Sequence, residues 1–234
     1  MRAFTVAWRA IAGLYGELFF LIGMSLLWWI TGGIFVGAAA AVGLSLFAGG
    51  GPWWVAPIIA IPAGPATAAL AAVCRRVVRN QPHDRQDYLA ALKRDWKQAL
   101  ALSAVGMIVL ALVLLNAIFY LFQANNVLRF FAIVWIYIVV FWLGMQFFLY
   151  PFFAALEEPG VLRSYKMAAL ATFANPLFAA LLLLLALILT ALCVALPVLA
   201  LLLWPALMAL MGEYALRLLL ARAGVEKEDD ITAA

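Results

Sequence analysis

Fourteen of the 15 Lys and Arg residues fall in four short segments, and the sequence between those segments is apolar over lengths that match a bilayer. Arg2 and Arg9 come first, then Arg75, Arg76, Arg79, Arg85, Lys93, Arg94 and Lys97, then Arg163 and Lys166, and last Arg217, Arg222 and Lys227; Arg129 stands apart. A hydrocarbon core about 30 Å thick needs roughly 20 helical residues, at about 1.5 Å of rise each. Six stretches meet that length, at about 17–44, 54–74, 100–122, 130–150, 176–196 and 199–221. The last two divide one apolar block, Pro176 to Ala221, which is about twice the length of a span and carries Pro197 near its middle, so it reads as a tight hairpin. The expected fold is a single all-α membrane domain, a bundle of six transmembrane helices.

With 69% hydrophobic and 11% charged residues, the solvent for most of this chain is lipid. The net charge of +4 does not point to nucleic acid, because the basic residues flank apolar spans. Their expected partners are anionic lipid headgroups, at about 1 kcal/mol per basic residue near the surface. The positive-inside rule then places both termini, the 75–97 segment and the segment around Glu157 to Lys166 on the cytoplasmic side of an inner membrane. The same side receives the tail acids Glu226, Glu228, Asp229 and Asp230. A five-span alternative, with the proline-broken second stretch re-entrant, would send Arg2 and Arg9 outside against that rule. The run from Leu18 to Phe47 far exceeds the about 7 to 15 residues of a cleaved signal's apolar region, so it reads as a retained span. Cys74 and Cys193 fall near opposite faces in this topology, too far apart for a disulfide. His83 is the only histidine, and no metal or cofactor site is expected.

Local patterns refine the picture. Pro57, Pro62, Gly64 and Pro65 in the second stretch predict a kinked or unwound helix, since each proline removes a donor and crowds the preceding turn. Such breaks bind ions or carboxylates in some transporters and are simple packing bends elsewhere. Gly33, Gly37 and Ala41 recur every four residues and form a smooth packing face, for an internal neighbour or a second protein. Asp84 and Asp87 resemble a helix start. Tyr88, Leu89, Leu92 and Trp96 then share a face, which predicts a short cytoplasmic amphipathic helix over 84–97, between spans two and three. That helix suits the headgroup region or a cytoplasmic partner, with Arg75, Arg76, Arg79, Arg85, Lys93, Arg94 and Lys97 as the candidate contacts.

Glu17, Thr31, Asn116, Gln146, Thr190 and Glu213 are the polar side chains expected within the hydrocarbon. Glu213 is nine residues from Arg222, roughly 13 Å along a helix, where an unpaired carboxylate is costly. Arg217 lies one turn on and offers a partner. Glu17, Gln146, Glu213 and Arg217 thus form the candidate intramembrane polar site, either a proton or substrate site or a lock on the bundle. No nucleophile motif, phosphate loop or pair of catalytic carboxylates is present, so an enzyme is not expected.

Three segments together carry a resemblance. They are Pro62 to Leu70 leading into Arg75–Arg79, the loop helix Tyr88 to Ala99, and Tyr150 to Leu156 followed by Lys166 to Leu170 and Asn175-Pro176. In these the chain resembles the YesL-like bacterial membrane proteins, a family of unknown function, over about Trp28 to Leu185. The resemblance implies an accessory or permease-like role beside carbohydrate ABC transporters. Ala155-Leu156-Glu157-Glu158-Pro159-Gly160 does not reproduce the coupling loop of a true ABC permease, which speaks against direct coupling to an ATPase. The expected function is therefore a non-enzymatic accessory or structural subunit, with other membrane subunits as partners; the alternative is an autonomous small-solute transporter or channel with its site at the broken second helix and Glu213.

Overall fold

A computed structural model describes residues 2–156, 160–222 and 224, and among them every regular element is a helix. Glu157, Glu158, Pro159 and the charged tail residues Glu226, Lys227, Glu228, Asp229 and Asp230 lie outside the described residues. Six helical stretches are long and apolar enough to cross a membrane, one for each expected span. The first, Leu18–Ala48, joins α2 (Leu18–Trp28) through a π-helical turn (Trp29–Gly33) to α3 (Ile34–Ala48). The second, Trp53–Val78, is a 3₁₀ segment (Trp53–Ala63) that passes into α4 (Gly64–Val78). The others are α5 (Arg85–Leu121), α6 (Asn126–Ala155), α8 (Pro176–Ala195) and α10 (Trp204–Arg222). A short helix, α9 (Pro197–Leu202), makes the turn between α8 and α10, and Pro197 opens it where no donor is needed.

The break in the second stretch has the expected cause. Pro57 and Pro62 sit inside the 3₁₀ segment, and the α-helix resumes only at Gly64, with Pro65 in its first turn. At about 2.0 Å of rise per residue, 3₁₀ winding also stretches this segment relative to an α-helix. Gly64 is required there. A Cβ on it would overlap Ser103 and stand 2.6 Å from the Ala99 carbonyl oxygen, so α4 and α5 meet backbone to side chain at this point.

The amphipathic stretch differs from expectation. Asp84 caps it through a reciprocal box, with Asp84 Oδ1 accepting from the Arg85 amide at 2.6 Å and Asp87 Oδ2 accepting from the Asp84 amide at 2.9 Å. The helix then runs on without interruption through span three to Leu121. No proline lies between Arg85 and Leu121 to stop it, so the short separate helix is instead the first third of α5. Its inward face also differs, for Tyr88 is fully buried while Leu89 and Trp96 remain 42% and 48% exposed.

Two helices were not anticipated. In α1 (Arg2–Gly16), Ala3, Val6, Ala10 and Leu14 recur at helical spacing and are buried, and the helix packs on α10 and α8. Phe4, Trp8, Ile11 and Tyr15 form a second, exposed apolar stripe, the pattern of a helix lying in a membrane interface. In α7 (Val161–Ala174), Ser164, Ala168 and Thr172 face inward and pack mainly on α6. The core centres on α4, whose Ala66, Ala69, Leu70, Val73 and Cys74 are nearly inaccessible. Small side chains let α5, α6 and α10 approach it closely, which is how helices gain packing energy where lipid is as apolar as the core.

Candidate functional site

Aromatic donors tie the spans to one another. Trp28 Nε1 donates to Thr67 Oγ1 at 3.1 Å, Trp142 Nε1 to the Gly106 carbonyl at 3.2 Å and Trp204 Nε1 to Thr190 Oγ1 at 2.9 Å. Tyr165 Oη donates to the Leu102 carbonyl at 2.8 Å, and the Tyr88 and Thr31 hydroxyls meet at 2.7 Å. Buried Trp and Tyr need such partners, because an unpaired donor in an apolar interior is costly. Trp28 and Trp142 lie well inside apolar stretches, away from their ends, and that position was the available sign that they act as ties instead of interfacial anchors, whereas Trp204 opens α10.

The Trp28–Thr67 and Trp204–Thr190 ties border a cavity of about 280 Å³. Trp28 closes it on the α2 side, Thr67 and Leu70 on α4, Gln146 and Tyr150 on α6, Leu187 on α8 and Met208 on α10. Thr67 enters one turn past the 3₁₀ segment, so the broken helix does shape the space, through the start of α4.

The four residues of the expected polar site do not come together in one place. Gln146 lines the cavity, and Gly212, next to Glu213, lines it too. Glu213 itself is 4% exposed and close enough to act electrostatically on Cys74. Arg217 Nη1 donates to the Val78 carbonyl at 2.8 Å, tying α10 to the last turn of α4. Glu17 sits elsewhere, at the break between α1 and α2, where His83 Nε2 approaches its Oε2 at 3.7 Å. With Arg9, Gly13, Asn80 and Tyr214 it lines a polar cleft of about 730 Å³ between α1, the α4–α5 connection and α10. Asn80 turns that connection at φ 50°, a left-handed geometry that Asn tolerates better than most side chains.

Residues 21–117 match a family described as "Protein of unknown function, DUF624". The DUF624 match runs from α2 through most of α5 and so takes in the proline-broken segment, α4 and the capped start of α5. It covers under half of the chain, and the Tyr150 to Leu156 and Asn175-Pro176 segments fall beyond it. No curated protein and no solved structure matches the chain.

Within the matched region, the face of the first spanning helix that meets the rest of the bundle lies beside the Gly33, Gly37 and Ala41 spacing, which leaves most of that spacing open to a second protein. Gly33 is buried against the Trp28 and Trp29 rings, but Gly37 and Ala41 face outward. The face in use is Gly32, Ala39 and Gly43; a Cβ on Gly32 would stand 2.6 Å from Ala66 Cβ, and one on Gly43 3.1 Å from Ala56 Cβ. The π-helical turn at Trp29–Gly33 rotates the helix just before this face, which a uniform four-residue spacing does not foresee.

The basic residues divide as well. Arg75 and Arg76 occupy the last turn of α4, where the helix dipole favours cations, and Arg76 pairs with Asp87 at 2.8 Å across the loop. Arg79 caps α4, and the Arg85 guanidinium reaches back to Gly23. Lys93, Arg94 and Lys97 are exposed; Arg94 pairs with Asp95 at 2.7 Å, and Lys97 Nζ lies 5.6 Å from the Trp96 ring. Cys74 and Cys193 are buried and unbridged. Among the described residues, no three His, Cys, Asp or Glu side chains cluster as metal ligands would.

Proposed function

We propose that the chain is a YesL-like, non-enzymatic protein of a bacterial cytoplasmic membrane, with both termini cytoplasmic, and that it serves as an accessory subunit of a larger membrane assembly linked to carbohydrate transport. One observation supports this over autonomous transport. Thr31, Thr67 and Thr190 are each engaged by an aromatic side chain of another helix, in the Thr31–Tyr88, Trp28–Thr67 and Trp204–Thr190 pairs, so they brace the bundle and do not line a hydrophilic track. The exposed cluster Lys93, Arg94 and Lys97 beside Trp96 suits anionic headgroups on the cytoplasmic side. Nothing in this reading calls for nucleic acid.

Extraction in mild detergent should bring down further membrane subunits with the tagged chain. A lone monomer or homodimer that moves sugar across liposomes would sink the subunit reading. The transporter reading is favoured by the cavity beside the broken helix and Gly212; it requires Glu213→Gln to abolish flux at normal expression, and intact flux would remove Glu213 from it. For orientation, a phosphatase reporter that works only outside the cytoplasm should be silent when fused after Lys97. An active fusion would invert the topology.

A further inference from the structure

We propose that the polar cleft between α1, the α4–α5 connection and α10 holds one headgroup carrying both a phosphate and a primary ammonium, the chemistry shared by phosphatidylethanolamine and free phosphoethanolamine. Its volume of about 730 Å³ is within the usual small-molecule range of about 300–1,000 Å³. Arg9 enters it half-buried from α1, and among the described residues nothing bonds its guanidinium. The Tyr214 hydroxyl comes close to the same helix, since a Cβ on Gly13, one turn after Arg9, would stand 2.7 Å from it. Glu17 lines the cleft about two helical turns after Arg9. Its carboxylate is 48% exposed and 3.7 Å from His83 Nε2, beyond hydrogen-bond reach, so its oxygens remain open.

The cleft thus sets a cation and a carboxylate, neither of them hydrogen-bonded, against one space. A simple anion would meet Glu17, a simple cation would meet Arg9, and a neutral guest would desolvate both charges without replacing their water. A phosphate beside Arg9 and Tyr214, with its ammonium toward Glu17, satisfies both ends. The guanidinium and the hydroxyl donate to phosphate oxygens, and the ammonium donates to the carboxylate. Asn80 and Gln81 add exposed amides to the lining. A lipid source is at hand, because the apolar stripe Phe4, Trp8, Ile11 and Tyr15 sets α1 at headgroup depth. Tyr15 and Phe19, on either side of the helix break, are 79% and 87% exposed and give acyl chains a surface. This holds whether or not the chain serves a larger assembly.

The test uses the full chain in detergent, with bound molecules counted by native mass spectrometry. The lipid arm compares phosphatidylethanolamine with phosphatidylglycerol, which has no ammonium, and phosphatidylcholine, whose ammonium has no N–H. The soluble arm compares phosphoethanolamine with glycerol phosphate. In at least one arm the ethanolamine compound is expected to fill one site at about tenfold lower concentration, the factor for one hydrogen bond to a charged group. The arm that shows this preference identifies the source. Glu17→Gln should erase the preference and leave binding of the glycerol compound in place, while Arg9→Gln should weaken both about tenfold. Neither side chain belongs to the buried core, and an unchanged size-exclusion profile reports an intact bundle. A preference in neither arm would overturn the proposal, as would one that survives Glu17→Gln.

Discussion

Gly64→Ala is expected to destabilise the bundle by about 3 kcal/mol, the upper part of the usual range for forcing volume into a packed core. The added carbon would overlap Ser103 and come within 2.6 Å of the Ala99 carbonyl oxygen. A backbone oxygen within α5 cannot swing aside as a side chain can. Relief therefore requires α4 and α5 to separate. Gly37→Ala supplies the contrast, since its new carbon would lie 3.7 Å from the Trp29 ring, at ordinary contact distance on an exposed face. That change should be neutral or mildly stabilising, because alanine is the better helix former by about 1 kcal/mol. Thermal unfolding in detergent, followed by circular dichroism, measures both. Equal midpoints for the two variants would mean that the close approach at Gly64 is not real.

Trp28→Ala is expected to cost about 3 kcal/mol, the lower end for deleting a large aromatic from a core. The lower end applies because a residue leaving this interior for lipid loses packing and not a hydrophobic transfer term. Trp28 is 4% exposed, its ring meets those of Trp29 and Trp204 at centroid distances of 5.1 and 5.9 Å, and its indole holds α2 to Thr67. Trp28→Phe separates the two contributions. It keeps most of the packing and loses one hydrogen bond, with Thr67 still donating to the Ala63 carbonyl, so about 1 kcal/mol is expected. If Trp28→Phe proved as damaging as Trp28→Ala, the hydrogen bond and not the ring would be the main contribution. Heating followed by size-exclusion of the surviving fraction gives the ranking.

Much of the architecture was legible in the residues. Six apolar stretches of bilayer length became six helices, the prolines at 57 and 62 produced the 3₁₀ segment, and Asp84 and Asp87 capped α5. What escaped were features that depend on neighbours. The start of α1 carries apolar residues on two faces, and periodicity alone does not say which face meets protein. Glu17, Gln146, Glu213 and Arg217 share a polarity but not a location, since Glu17 sits at a helix break and Gln146 on a wall that other helices complete.

The sequence by itself determined that the chain lies in a membrane, how many times its helices can cross, and where those helices break. Each of these follows from local rules, because backbone polar groups in lipid must be satisfied within their own helix and proline removes a donor wherever it stands. Only the tertiary structure decided which face of each helix is covered, that Trp28, Trp142 and Trp204 serve as ties, and that a cavity lies between α4, α6, α8 and α10. Lipid and the packed interior are equally apolar, so hydropathy is blind to the difference between them. That distinction is made by shape, by a missing Cβ at Gly32 or Gly64 and by an indole within reach of an acceptor on another helix.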